Sequence, residues 1–216
     1  MASPTTDAPD LRQRILDTSE ALLESDGVAA LSMREVARRA GVTHQAPYHH
    51  FADREAVLAE LVTRGFDDLA RRLARANERA DPADPRATVL GSSSAYVGFA
   101  IDHPGVFRVM FRPDLCDAAR FPAAKEAGER AYGELLRLVG LLHGEAAADA
   151  TLASVYWSVV HGLACLIVDG PLGWGAGGAR ERRALMKTTL ERCADLMLLP
   201  RAAVGQSRPS PSRRSP

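Results

Sequence analysis

The residues best suited to chemistry lie together, just after a glycine that ends a short helical pattern. Thr43 offers a hydroxyl to backbone or phosphate, His44 can donate to guanine or phosphate, and Gln45 can pair in bidentate fashion with adenine. Two smaller residues that can lie on a thymine methyl follow, Ala46 and Pro47. A core helix would not place so many polar side chains in its first turn. The segment therefore predicts a surface that reads base edges.

Longer hydrogen-bond donors follow this segment. Tyr48, His49 and His50 are long enough to reach phosphate, and Arg54 stands in the first turn of the next helical pattern. The whole chain has 27 basic and 27 acidic residues, and its formal charge of zero removes the argument from a globally basic protein. Any DNA binding must therefore be local, with modest and salt-sensitive nonspecific affinity.

The histidines also raise the possibility of catalysis or metal binding. An enzyme would pair histidines with nearby carboxylates, and the candidates are His44, His49, His50 and His103. The sequence contains no HExxH, GxSxG, P-loop or paired Cys/His ligand set. We therefore expect no catalytic residue, no metal site and no cofactor.

Cysteine usage and hydropathy bear on location. Cys116, Cys165 and Cys193 are odd in number and far apart, which is typical of buried thiols in a reducing compartment. The N-terminus lacks the pattern of a signal sequence, and we expect no apolar run near the ~18 residues of a membrane span. These features predict a cytoplasmic protein with no membrane partner.

The elements that position the polar segment are helical, and the predicted class is all-α. A capping box at Ser32 to Glu35 predicts a helix over 32–40, Gly41 ends it, and Thr43 is placed to cap a third helix over 43–50. Two short helices around a glycine turn have the dimensions of a helix-turn-helix. An earlier helix is predicted from an Asp10 cap to a stop at Gly27.

A long helix follows from Asp53 to about residue 80, where Asp81-Pro-Ala-Asp-Pro85 ends it and marks a candidate domain boundary. Further helices are predicted at about 87–102, 106–111, 123–142, 147–168 and 180–199, with a glycine-rich loop at 170–178. We assign residues 10–55 to a helix-turn-helix domain and 56–200 to a helical ligand-binding and dimerisation domain. Residues 1–9 and 201–216 are predicted to be disordered.

The run from Leu31 to Leu58 resembles the N-terminal domain of the tetracycline-repressor (TetR) family. The matching features are Gly27 before Leu31, the Ala40-Gly41-Val42 turn, Tyr48-x-His50-Phe51, and the acidic cap followed by a basic residue and Glu. The resemblance implies phosphate contacts from Thr43, Tyr48 and His50, and base reading by Gln45, Ala46 and Pro47. It implies that Arg34 can reach a base. Arg54 stands where the family usually has Lys, and either can bind phosphate.

The later part of the chain resembles the family's ligand-binding and dimerisation region, in a subgroup marked by Trp157-x-x-x-His161-Gly162. The segment 95–111 also resembles that subgroup. Trp157 and His161 are four residues apart, so they share a helix face and can touch each other or one neighbour. Either His161 is a hydrogen-bonded core residue, or it offers a hydrogen bond into a cavity. Gly162 costs helix propensity, and we expect another helix to approach it closely.

This region is rich in aromatic residues, as expected for an apolar small-molecule cavity. The ligand-binding candidates are Tyr96, Phe99, His103, Phe107, Met110, Phe111, Tyr132, Trp157 and His161. We expect only two or three of them to line the ligand and the rest to be packing. His103, which precedes Pro104, could instead act as a favourable helix-end residue.

The last two long helices are candidates for a four-helix dimer interface. A nearly continuous apolar face on the final helix would need cover, and its residues are Leu185, Thr189, Leu190, Cys193, Leu196 and Met197. The sequence therefore predicts a homodimeric, ligand-responsive transcriptional regulator, most simply a repressor, that binds a palindromic DNA operator and is released by a small apolar effector. The alternative is a constitutive DNA-binding regulator without an effector.

Overall fold

The computed structural model describes residues 11–117, 119–144, 149–170, 172 and 178–198. Its α-helices are α1 (Leu11–Asp26), α2 (Met33–Ala40), α3 (Arg54–Asn77), α4 (Pro85–Asp102), α5 (Pro104–Met110), α6 (Pro122–His143), α7 (Ala150–Val168) and α8 (Ala179–Met197). The all-α prediction is confirmed. The two predicted disordered ends, the Asp10 cap and most of the predicted 170–178 loop lie outside the described residues.

Helix α2 begins and ends at residues that act locally. The Ser32 hydroxyl accepts a hydrogen bond from the backbone N–H of Glu35 at 3.2 Å, which caps α2. Gly41 adopts φ 68° and ψ 35°, a left-handed conformation that favours glycine, and ends α2. The Glu35 carboxylate turns to Arg38 and Arg39 instead of completing the capping box.

The polar segment forms a 3₁₀ helix over Ala46–His49, shorter than the predicted 43–50 helix. Its backbone makes i to i+3 bonds, from Ala46 N–H to Thr43 O at 3.0 Å and from Tyr48 N–H to Gln45 O at 3.1 Å. Pro47 has no N–H to donate to the Thr43 carbonyl, as an α-helix would require. Gln45, and not Thr43, is the N-cap residue, and it makes no side-chain capping bond.

Helix α3 is the central element. The Asp53 carboxylate accepts from the Ala56 N–H at 2.9 Å and caps the helix, as predicted. One hydrophobic core runs from Ile15 of α1 along α3 to Leu190 of α8. The core is therefore continuous across both residue 55 and the Asp81–Pro85 stretch, and the two-domain division stays a prediction.

Two prolines set the remaining geometry. Pro85 begins α4, whose first turn is capped by the Asp84 carboxylate on the Ala87 N–H at 2.9 Å. Pro104 separates α4 from the short α5. The chain then returns through α6, which packs along α3, and through α7 and α8, which pack on α4.

Helix α7 is more apolar than we expected from the sequence. Its 19 residues include no Asp, Glu, Lys or Arg, and length and composition alone would let it cross a membrane. The expectation that no apolar run approaches this length is wrong. Several of its side chains are nevertheless buried against the rest of the protein, and core helices pass the same test. They are Ala153, Tyr156, Val160, Leu163, Ala164, Ile167 and Val168.

Candidate DNA-binding surface and ligand cavity

The polar segment after Gly41 projects most of its side chains into solvent. Tyr48 is 50% exposed although it is a large aromatic residue. The other exposed members of the predicted DNA-binding set are Arg34, Thr43, His44, Gln45 and His50, and Ala46 is half-buried. The Gln45 amide nitrogen lies 3.0 Å from Nε2 of His44, so these two side chains adjoin at the surface. The structure thus brings this set together on one exposed turn and the helix before it.

The charges of α2 are arranged around a single carboxylate. Arg38 and Arg39 both hydrogen-bond to Glu35, and they hold the Glu35 pKa down at about 2. Arg39 also reaches Asp26 of α1 at 2.7 Å, which ties α2 to α1. Within the described part of the chain Arg34 has no ion-pair partner. Arg34 is therefore the cation of α2 most available to an outside partner.

Two predicted DNA-contact residues need correction. Pro47 is buried, because the 3₁₀ turn directs its ring inward, so in this conformation it cannot lie on a thymine methyl. The Arg54 guanidinium donates to the carbonyls of Leu31 and Val28, each at 2.7 Å. Arg54 thus joins the start of α3 to the turn before α2, and two nitrogens of its guanidinium are already engaged within the protein. The sequence pattern gives the residue type and not the direction of the side chain.

Phe51 is 5% exposed and belongs to the main core. The Arg12 guanidinium of α1 lies 5.3 Å from its ring centroid. Phe51 is therefore a packing residue beneath the exposed turn.

An inner cavity of about 190 Å³ lies between α3, α4, α6 and α7. Of the predicted ligand-binding residues, Tyr96, Phe111, Tyr132 and Trp157 line it. Further lining residues that sequence reasoning did not assign to a ligand include Phe66, Leu69 and Leu73 of α3, Ser92 and Ser93 of α4, and Tyr156 of α7. Helical periodicity marks such residues as inward, but it cannot tell whether protein or a cavity lies beyond them.

Three aromatic side chains form a hydrogen-bonded group at the cavity wall. The indole N–H of Trp157 donates to the Tyr96 hydroxyl at 3.1 Å, and that hydroxyl lies 2.9 Å from Nδ1 of His161. Burial lowers the pKa of His161, which keeps its imidazole neutral and able to accept from Tyr96. Trp157 and His161 therefore meet one shared neighbour, Tyr96, and their own rings lie 5.8 Å apart.

An outer cleft of about 560 Å³ adjoins the inner cavity. The two share the residues Phe66, Phe111, Gly128 and Trp157. Met110 and His161, both predicted ligand residues, line this cleft and not the inner cavity, and the exposed cations Arg112 and Lys125 stand at its rim. Each cation is partnered, Arg112 by Asp114 at 2.7 Å and Lys125 by Glu129 at 3.3 Å.

Three predicted ligand residues lie elsewhere. Phe99 is 1% exposed and packs in the core. Phe99 and His103 line a separate polar recess together with Glu20. His103 Nδ1 lies 3.5 Å from the Glu20 carboxylate, and its Nε2 lies 3.2 Å from Arg72. Phe107 packs behind the aromatic group, with its centroid 5.4 Å from that of His161, and does not line the inner cavity. None of these three residues lines the inner cavity or the outer cleft.

Helix α7 carries an exposed apolar stripe. Val155 and Leu166 are 53% and 45% exposed, with half-buried Val159 and Gly162 between them at helical spacing. A side chain at Gly162 would meet nothing within 4 Å among the described residues, so none of the described helices makes the expected close approach.

The predicted apolar face of the final helix is divided. Leu190 is 2% exposed because it packs into the core. Leu185 and Met197 are partly buried and pack against the hydrophobic clusters. Leu196, at 69% exposure, is the member that points outward. The face that needs outside cover is therefore narrower on α8 than predicted.

Two family models match this chain. Residues 15–61 match the model described as "Bacterial regulatory proteins, tetR family", and residues 89–191 match "Tetracyclin repressor-like, C-terminal domain". The first range holds the exposed turn, and the second holds most of the cavity wall. Together they account for well over half of the chain.

Two relatives of this chain are described as HTH-type transcriptional regulators. The HTH-type transcriptional regulator AcrR of Shigella flexneri is 40% identical over 55 residues, 26% of each protein. The HTH-type transcriptional regulator Rv1816 of Mycobacterium tuberculosis is 24% identical over 145 residues, 67% of this chain and 59% of the relative. The chain thus aligns with less than two thirds of either relative's length.

A solved structure from Rhodococcus sp. RHA1, whose function is described as unknown, is 32% identical with a TM-score of 0.68, covering 88% of this chain and 98% of that one. The chain belongs to the TetR family of transcriptional regulators, a non-enzymatic DNA-binding family, with the N-terminal helix-turn-helix domain and the tetracyclin-repressor-like C-terminal domain of that family.

Proposed function

We propose that this regulator binds a palindromic operator as a homodimer, represses transcription there, and is released by a small, largely apolar effector. The observation that carries the proposal is the exposed turn after Gly41, where Thr43, His44 and Gln45 face solvent while Phe51 anchors the turn from below. Exposed hydroxyl, imidazole and amide groups at the start of a recognition segment are the groups that read the major groove.

Dimer formation is supported by the α7 stripe. Val155 and Leu166 are exposed apolar residues that a soluble protein normally covers when they adjoin, and Leu196 of α8 adds to the same kind of surface. The open space above Gly162 would allow a partner helix to approach closely. Two copies related by a two-fold axis would place two weakly charged recognition turns on successive half-sites, so that their contacts add.

Release by an effector is supported by the course of α3. This helix begins at Arg54 beside the recognition turn, and its residues Phe66, Leu69 and Leu73 line the inner cavity. A molecule in the cavity would therefore touch the helix that carries the DNA-binding region. It can shift the protein between two placements of that region only by binding one of them more tightly.

The experiment starts by selecting operators from random-sequence DNA with the full chain and then screens lipophilic compounds for release of the selected DNA. We expect an inverted repeat, and a compound that both raises the melting temperature and releases the DNA. A single half-site would contradict the dimer. DNA binding that no cavity-binding compound weakens would favour the constitutive regulator. We further propose a cytoplasmic location, no membrane partner, and membership of a subgroup marked by Trp157, His161 and Gly162.

A further inference from the structure

The inner cavity is lined mainly by apolar and aromatic residues. Its residues come from α3, α4, α6 and α7 and from Phe111, and none of those found in the described part of the chain carries a charged side chain. A charged group moved from water into such surroundings is strongly disfavoured unless an opposite charge compensates it. The lining therefore favours an uncharged occupant.

Several polar groups at the wall already have partners. Trp157 donates to the Tyr96 hydroxyl, which is in turn paired with His161. The Tyr156 hydroxyl lies 2.7 Å from Nε2 of His143. These groups shape the cavity, but they do not need a ligand to complete their hydrogen bonds.

Two serine hydroxyls differ in this respect. Ser92 and Ser93 are consecutive on α4, only 4% and 6% exposed, and both line the cavity. Helical serines commonly bond to the carbonyl four residues earlier, as Ser154 and Ser158 do on α7. Among the residues that the structure describes, no hydrogen bond joins the hydroxyl of Ser92 or Ser93 to a partner, and neither oxygen is among the fully buried atoms that lack one, which are Asn77 Oδ1 and Arg182 Nε. The two hydroxyls therefore face the cavity that they line and are available to a bound molecule.

We propose that the cavity takes an uncharged, mainly apolar molecule whose carbonyl or hydroxyl oxygen hydrogen-bonds to Ser92 and Ser93. This inference rests on the proposed ligand response and names the class of the effector. The cavity volume of about 190 Å³ lies below the ~300–1,000 Å³ of drug-sized pockets. The molecule's body is therefore compact, and a larger one would have to extend past Phe111 and Trp157 into the outer cleft.

The test compares three probes with one bicyclic skeleton: tetralin, its ketone 1-tetralone, and the anion tetralin-1-carboxylate. Calorimetry on the full chain without DNA should show the ketone binding about five- to tenfold more tightly than the hydrocarbon, the gain expected from one or two neutral hydrogen bonds. The carboxylate should bind at least tenfold more weakly than the ketone, on the order of what an uncompensated buried charge costs.

Variants then assign the preference to the two hydroxyls. S92A/S93A should bind 1-tetralone no better than tetralin while its affinity for tetralin stays the same. Ser94→Ala is the matched control, since Ser94 is on the same helix but does not line the cavity. The single variants S92A and S93A supply the same comparison if the double variant melts at a lower temperature.

Four results would overturn the proposal: tightest binding of the carboxylate, equal binding of ketone and hydrocarbon, no binding of the ketone, or a ketone preference that survives both serine substitutions. DNA is absent from these measurements, so they are independent of operator binding. A chain that prefers the ketone but never releases its operator would contradict the proposed function and leave the ligand class standing.

Discussion

The carboxylate of Glu24, on α1, accepts a hydrogen bond from the backbone N–H of Gly105 at 2.7 Å, at the start of α5. The same carboxylate accepts from Val106 N–H at 3.2 Å. A side chain of α1 thus caps α5, and the two helices are joined through backbone groups that water would otherwise solvate. This contact joins the segments matched by the two family models, in addition to the connection through α3.

Removal of this cap should destabilise the protein. Glu24→Ala should lower the free energy of unfolding by about 1–2 kcal/mol, the usual range for a lost N-terminal cap, while Glu24→Gln, which keeps an acceptor oxygen, should lose less. Urea denaturation measures both. Glu126→Ala, at an exposed position of α6, is the control and should change stability little. Equal losses in all three variants would show that the cap contributes nothing.

The closeness of α1 and α5 should appear at Gly105. A Cβ there would lie 2.5 Å from the carbonyl of Leu23 and 2.7 Å from the N of Glu24, backbone atoms that cannot turn aside. Gly105→Ala should therefore cost about 3 kcal/mol. Gly133→Ala, in α6 with nothing within 4 Å, should instead stabilise by about 0.5–1 kcal/mol. A thermal melt of each variant checks the pair, and a harmless Gly105→Ala would contradict the observed packing.

The junction between α4 and α5 should make stability depend on pH. The hydrogen bond to Glu20 raises the pKa of His103, although burial and the nearby Arg72 oppose the shift, and the same bond lowers the pKa of Glu20. A raised histidine pKa contributes stability below about pH 6.5 that is lost as the pH rises through the folded-state value. Because the pair is about a third exposed, the contribution should stay under about 1 kcal/mol.

Urea unfolding at pH 5.5 to 8.5 measures this effect. The difference in the free energy of unfolding between the wild type and His103→Gln should fall with rising pH, and this comparison removes the effect of the lowered pKa of His161, which acts in the opposite direction in both proteins. Exposed His49 provides the control, and His49→Gln should have the pH profile of the wild type. A pH profile that is unchanged by His103→Gln would mean that the Glu20 contact is not formed in solution.

The α7 stripe should hold two chains together. Val155→Glu places a charge at an exposed apolar position and should convert the dimer to a folded monomer, because an unpaired charge in an apolar interface is costly. Sedimentation reports the mass and circular dichroism the fold. Leu141→Glu, at a 38% exposed apolar position on α6, should leave the dimer intact. A wild-type monomer, or a Val155→Glu dimer, would contradict the proposed interface.

Sequence patterns predicted the helices well because the residues that begin and end a helix act locally. Ser32, Gly41 and Asp53 each act within one helical turn of their own position, and each does in the structure what its residue type favours. The 3₁₀ turn was missed because it depends on the missing N–H of Pro47 at one position. A neutral overall charge gave no help in finding the exposed turn, and the types and order of Thr43 to Gln45 did.

Side-chain direction was harder to predict than the helices. Arg54 looks like a phosphate ligand from its position, yet two carbonyls from a distant turn hold it inside. His103 and Phe99 are aromatic residues of the same region as Tyr96, but they face α1 and α3 instead of the cavity. Conversely, Ser92 and Ser93 carry no pattern that separates them from packing serines. These outcomes depend on tertiary contacts between segments far apart in sequence.

The exposed turn after Gly41 is proposed to read DNA. The decisive experiment is fluorescence anisotropy with the selected operator and with unrelated DNA, using the wild type and a Gln45→Ala variant of equal melting temperature. Gln45→Ala should weaken operator binding by about 10- to 100-fold, the value of a lost bidentate base contact, and leave binding to unrelated DNA within about twofold. Unchanged operator affinity in Gln45→Ala, or an equal loss on both DNAs, would contradict the claim.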